Sequence, residues 1–131
     1  MPNKDSHHNA VLQTLRVNGW RIIREHALLS TDTQRMFIDI WAERLEDRSQ
    51  ALFEVKGFDS PVESLASAVG KCQLYKFACE LSDFRLPLYL AVPKSALDGI
   101  LSESIGVHAR QLAQLKLFVF VPGDTRIIEW T

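Results

Sequence analysis

Two stretches, "LPLYLAV" (Leu86 to Val92) and "LKLFVFV" (Leu115 to Val121), constrain the fold of this chain more than any other feature. Each is one strand long, and each is apolar at nearly every position rather than at alternate ones. A strand without a polar face must be covered on both sides, which helices packed on a partly parallel sheet provide. Residues Lys4 to Val17 supply one such helix: Ala10, Val11, Leu12 and Leu15 recur at three- and four-residue spacings, and Asn18-Gly19 is a left-handed helix end. "SPVE" (Ser60 to Glu63) starts a second over Pro61 to Leu81, with an N-cap serine, proline at the first helical position and glutamate three residues after the cap. Ser95 to Leu101 and Val107 to Leu115 also have helical spacing.

The remaining apolar runs read as strands. Trp20, Ile22, Ile23 and then Ala27 to Leu29 form one bent strand or two short ones. Met36 to Trp41 and Ala51 to Lys56 form a hairpin across the polar segment Glu43 to Gln50, and Arg126 to Trp130 closes the chain. The expected order is α-β-β-β-α-β-α-α-β-β, an α/β fold with a mixed β-sheet flanked by helices. At 131 residues, 47% of them hydrophobic, the chain has enough core for a single domain, 1–131, that needs neither disulfide nor structural metal.

No run approaches the eighteen or so apolar residues of a membrane span, and Met1 to Asn9 lacks an apolar signal core, so the expected location is cytoplasmic. Cys72 and Cys79 lie about two helical turns apart, too far to bridge; buried apolar packing is favoured over metal ligation. With a net charge of −1, any nucleic-acid contact must use a local patch, not global attraction.

Against this background three ionised residues sit inside strand-like runs: Asp39 in "FIDIWAE", and Glu54 and Lys56 in "FEVKGF". Alternation puts Phe37, Asp39 and Trp41 on one side of their strand with Met36, Ile38 and Ile40 on the other, and puts Leu52, Glu54 and Lys56 on one side of theirs. If the strands pair with these faces aligned, Asp39 and Glu54 stand about 5 Å apart at their side-chain origins, with Lys56 about 7 Å further along. Two carboxylates at that distance repel unless a positive charge lies between them. Magnesium suits the position, since it takes one or two carboxylates at about 2.1 Å and completes its shell with waters and substrate phosphate. Lys56 adds positive charge where negative charge develops on an attacked phosphate, and can orient or deprotonate the water. The competing reading makes Glu54 and Lys56 solvent-facing residues of an edge strand and pairs Asp39 with an arginine.

Taken together, "KDSHHNAV", "NGW", "FIDIWAE", "FEVKGF", "AVGKCQLYKFA", "LYLAVP" and "IIEW" resemble the XisH family, the excision-controlling factor of the cyanobacterial fdxN element. The resemblance runs from Pro2 to Trp130 and implies the restriction-endonuclease-like fold of the PD-(D/E)xK superfamily. By it, Asp39, Glu54 and Lys56 are the catalytic residues of a Mg²⁺- or Mn²⁺-dependent endodeoxyribonuclease, with Asp39 and Glu54 as metal ligands. It adds Asp5 and His8 from the "KD-x-x-H" opening, and Glu43 after the second strand, as further site residues. Asn9 stands where the family has aspartate, Lys71 where it has glutamine and Gly57 where it has serine.

Each of these secondary residues also has a plain structural reading. Asp5 can cap helix one, His7 and His8 point about 100° apart and cannot both face one site, and Glu43 can open the hairpin loop. Lys71 and Tyr75 can meet a nucleic-acid backbone and base, or flank the core stripe of Leu65, Val69 and Cys72. Two functions follow: a DNA-cleaving enzyme in DNA rearrangement, or a non-catalytic accessory protein that binds DNA or a partner such as XisI. RNA cleavage uses the same site. The closing strand, as an exposed edge, suits a homodimer.

Overall fold

The structure, a computed structural model, describes the backbone of residues 4–130 and the side chains of residues 6–127. Helix α1 (Lys4–Val17) leads into β1 (Trp20–Ser30), β2 (Arg35–Arg44) and β3 (Gln50–Val55). Helix α2 (Pro61–Leu81) is followed by β4 (Leu88–Pro93), α3 (Lys94–Asp98), a 3-10 turn (Ile100–Ser102), α4 (Ser104–Leu112), β5 (Lys116–Phe120) and β6 (Ile127–Trp130). The strands form one six-stranded sheet in the order β1-β2-β3-β4-β5-β6. Pairing is antiparallel for β1/β2, β2/β3 and β5/β6 and parallel for β3/β4 and β4/β5, where α2 and then α3 with α4 make the crossovers.

The two apolar runs are covered on both faces, as their composition requires. Ala91, Phe118 and Phe120 pack with Val11, Leu12 and Leu15 of α1, together with Trp20, Ile40 and Phe53. On the opposite face Leu90, Val92, Leu117 and Val119 pack with Leu65 and Ala68 of α2, Ala96 of α3 and Leu101. The second half of α2 closes a third cluster, in which Cys72, Tyr75, Ala78 and Cys79 meet Leu29, Ile38, Leu52 and Leu88. Both cysteines are buried free thiols, and burial pushes Cys72 up to about 11. None of the described helices is long and apolar enough to cross a membrane.

Both long helices have the expected limits, and Gly19 ends α1 with φ +87°. The start of α2 differs in detail from a capping box. Ser60 has the extended backbone of an N-cap, and Pro61 sits at the first turn, but the serine side chain makes no capping bond. Pre-set proline geometry and Glu63 in the first turn therefore carry that boundary.

The charged break in the first strand run is a bend within one strand. The β1/β2 register slips between Ile22 and Arg24, and His26 has φ +53°. Strict alternation fails in β2: Ile38 packs in the cluster under α2 and Ile40 in the cluster under α1, although two-residue spacing gives them one face. Asp39 lies between them. Helix α4 starts at Ser104, earlier than the spacing from Val107 suggests, and the helical pattern after Ser95 divides into α3 and the 3-10 turn. Tyr75 is a core residue, only 4% exposed and donating its hydroxyl to Leu86 O, which removes it as a base-stacking side chain.

Candidate active site

Where β2 and β3 part company, a cavity opens. Their ladder runs from Glu43↔Gln50 to Ile40↔Phe53, and the next pair in that register is Asp39 with Glu54. Here the Val55 N–H donates to Asp39 Oδ2 at 2.9 Å instead of to a β2 carbonyl. Meanwhile β3 stays joined to β4, with the Lys56 N–H donating to Ala91 O at 2.9 Å. The resulting cavity of about 630 Å³ lies off the C-terminal end of β3, the usual position for a ligand on a sheet with parallel strands.

Asp39, Glu54 and Lys56 all line it, with His7 and His8 of α1, Glu25 and His26 of β1, and the segment Gly57 to Ser60 leading into α2. On the other side of β2, the pairs Glu25↔Ile40 and Ala27↔Ile38 bracket His26 against Asp39. His26, Asp39 and Glu54 therefore form a row across three neighbouring strands, which are spaced about 4.8 Å apart.

Glu54 is the strained member of this row. Its side chain is 15% exposed; Oε1 is buried without a hydrogen-bond partner, and Oε2 lies 3.5 Å from Lys71 Nζ. Burial, and then the neighbouring charge of Asp39, hold the Glu54 carboxyl above the usual carboxylate range, with Lys71 opposing both. An acid raised in this way stabilises the fold while protonated, and loses that contribution as pH rises through its folded-state range. Without divalent ions, wild-type stability is accordingly expected to fall relative to Glu54→Gln as pH rises through and above the usual carboxylate range. Melting curves of both proteins across that range check this, and parallel curves would refute it.

The donor set fits a hard divalent cation. Glu54 Oε1 lacks a partner, Asp39 repels Glu54, and a cation between them relieves both conditions. Among the described residues no three His, Cys, Asp or Glu side chains converge as ligands. Asp39 and Glu54 would thus hold such an ion with water or substrate oxygens filling the remaining positions, the arrangement magnesium prefers. Lys56 lines the cavity and its Nζ donates to Ser67 Oγ at 2.8 Å.

The secondary candidates separate. His8 faces the cavity and is bonded through Nε2 to Glu25 Oε1 at 2.8 Å. His7 lines the same cavity, contrary to the angular expectation, because the space is wide enough for the first turns of α1 to present two successive side chains to it. A Cβ at Gly57 would stand 3.0 Å from His7 Cδ2, so a side chain at that position crowds this ring. Lys71 reaches the site from outside the cavity lining, donating to Phe37 O at 2.7 Å beside Glu54.

Glu43 is not brought to the cavity. It lies four residues along β2 from Asp39, 8% exposed, pairing with Arg21 at 3.0 Å and Arg48 at 3.3 Å. Arg21 holds its carboxyl below the usual range. It fastens the hairpin rather than joining the acids. Asp5 falls in the first turn of α1, and its side chain lies outside the described residues. Glu25 and His26 were missed because "REH" reads as a polar interruption of a strand; only the backbone bend turns these residues toward Asp39.

Solved structures share this architecture throughout. An XisH family protein from Nostoc punctiforme PCC 73102 superposes with a TM-score of 0.87 at 24% identity, covering 96% of this chain and 98% of its own. An fdxN element excision controlling factor protein from Anabaena variabilis gives a TM-score of 0.88 at 25% identity, covering 97% and 98%. No curated protein matches the chain in sequence. The model of the family described as XisH protein matches residues 1–128, and the chain belongs to the XisH family.

Proposed function

We propose that this protein is a metal-dependent endonuclease of the PD-(D/E)xK type that hydrolyses DNA phosphodiester bonds while controlling excision of a DNA element. The observation that carries this reading is the half-buried Asp39–Glu54 pair with its buried, unpartnered Glu54 Oε1, on a cavity also lined by Lys56. The biological setting follows the relative named as an fdxN element excision controlling factor. Magnesium or manganese, when bound, supplies electrophilic activation of the phosphate and of the attacking water. Asp39 is held in position by the Val55 N–H, so its free oxygen is oriented before any ligand arrives. The Lys56 ammonium stabilises negative charge developing on the attacked phosphate.

Ion binding can be tested apart from cleavage. Mn²⁺ is expected to raise the melting temperature of wild type and not of Asp39→Asn, whose side-chain carbonyl retains the bond to Val55 N–H. A ligand at about a hundred times its Kd contributes about 2.7 kcal/mol, enough to read by calorimetry. Equal shifts in both proteins, or none in either, would remove these acids as the metal site.

One feature favours the second reading, an accessory factor without chemistry. Lys56 is bonded to Ser67 and Lys71 leans on Glu54, so both cations near the acids already have partners within the protein. In that case the role is binding, to DNA or to an XisI-like partner, and the edge strand β6 offers backbone pairing to a partner or a second copy.

A further inference from the structure

The wall of the cavity formed by α1 and β1 has a chemistry of its own. His8 Nε2 is bonded to Glu25 Oε1 at 2.8 Å, and the His8 ring stacks on His26 with centroids 5.8 Å apart and planes 8° from parallel. The His8 side chain is 15% exposed, Glu25 43%. Two elements thus hold this imidazole: a helix carries it, and a strand supplies both its carboxylate partner and a flat ring to lie against. Its hydrogen bond to a described residue is the one to Glu25, which uses Nε2 and leaves Nδ1 without a partner among them.

The position in the sheet relates this histidine to the acids. His26, against which it stacks, is bracketed opposite Asp39, and Asp39 is opposite Glu54. A phosphodiester bound at Asp39 and Glu54 therefore has Lys56 on the β3 side and the His8–Glu25 pair on the β1 side of the same cavity. Hydrolysis of an alkyl phosphodiester needs a proton for its departing alkoxide, and Asp39 and Glu54 as cation ligands do not provide one. An imidazole held by a carboxylate is suited to that task, because the carboxylate fixes the ring orientation through Nε2 and leaves Nδ1 for proton transfer.

Resting on the nuclease reading, we propose that His8 is the proton donor to the leaving oxygen and Glu25 its positioning residue. Water oxygen bonds to phosphorus as the bond from phosphorus to the leaving oxygen breaks. The electron pair stays on the leaving oxygen, which takes the Nδ1 proton of His8. The attacking water loses a proton to solvent, and His8 regains one from solvent.

Leaving-group chemistry provides the test. DNA expels an alkoxide that needs the proton, whereas bis(p-nitrophenyl) phosphate expels a stable phenolate that does not. His8→Gln is expected to lose about 10²-fold or more on DNA and to retain nearly full activity on the phenyl ester. Glu25→Gln is expected to repeat the same split with a smaller loss on DNA. The Mn²⁺-induced rise in melting temperature should be unchanged in both variants, which also verifies folding and ion loading. Equal losses on the two substrates, or no loss on either, would overturn the role of His8 while leaving the nuclease reading in force. A wild type inactive on both substrates would overturn the nuclease reading and this assignment together.

Discussion

Alanine at Lys56 is expected to lower the rate of metal-dependent DNA cleavage by about 10²- to 10³-fold, the usual effect of removing one charge-stabilising donor from a phosphoryl or acyl transition state. The fold should survive, because Lys56 contributes a single side-chain bond, to Ser67, and its backbone N–H remains bonded to Ala91 O. Ion binding should survive too, since Asp39 and Glu54 are untouched. The decisive measurement is cleavage of plasmid and short duplex DNA in Mg²⁺ and Mn²⁺ by both proteins, beside their melting curves. Equal cleavage by the variant would exclude the catalytic role of Lys56. Absence of cleavage by wild type across substrates and metals would favour the accessory reading.

A second large effect concerns the support beneath the site. Phe53 is fully buried, next in sequence to Glu54, and its ring meets Trp20 at 5.4 Å, Tyr89 at 5.6 Å and Phe118 at 5.4 Å. Phe53→Ala removes an aromatic shared by α1, the hairpin and the parallel strands, with an expected loss of about 3–5 kcal/mol in unfolding free energy. A domain of this size has about 5–15 kcal/mol in total, so the variant should be marginal at physiological temperature. Urea denaturation gives the number; a loss under about 1 kcal/mol would mean that the neighbouring rings collapse into the space. The two substitutions lie three residues apart, one within β3 and one just beyond its end, and separate chemistry from packing.

The parts of this fold that are legible in the sequence are those governed by composition alone. Two apolar runs without a polar face predict strands buried on both sides, and β4 and β5 are such strands. Periodicity and termini locate α1 and α2 because burial and local backbone preferences agree there. The juxtaposition of Asp39 with Glu54 is legible only on the condition that the two strands pair with those faces aligned, and the ladder between β2 and β3 has that register. What the sequence does not disclose depends on departures from regular geometry. The bend that turns Glu25 and His26 toward Asp39, and the broken alternation between Ile38 and Ile40, are tertiary outcomes without a local signature. Glu43 is the opposite case: an acid on the same strand, drawn instead to Arg21 and Arg48 by pairing that becomes visible only in space.

The unzipped end of the hairpin also explains why its two acids differ in length. With one oxygen committed to the Val55 amide, residue 39 has to span a single interstrand gap, and the one-methylene stem of aspartate does so. A glutamate there would overreach that amide, whereas Glu54 is anchored through its backbone by the ladder to β4 and reaches Lys71 on a longer stem. Exchanging the two acids would preserve charge and composition yet lose the joint, so backbone carpentry dictates which acid stands where.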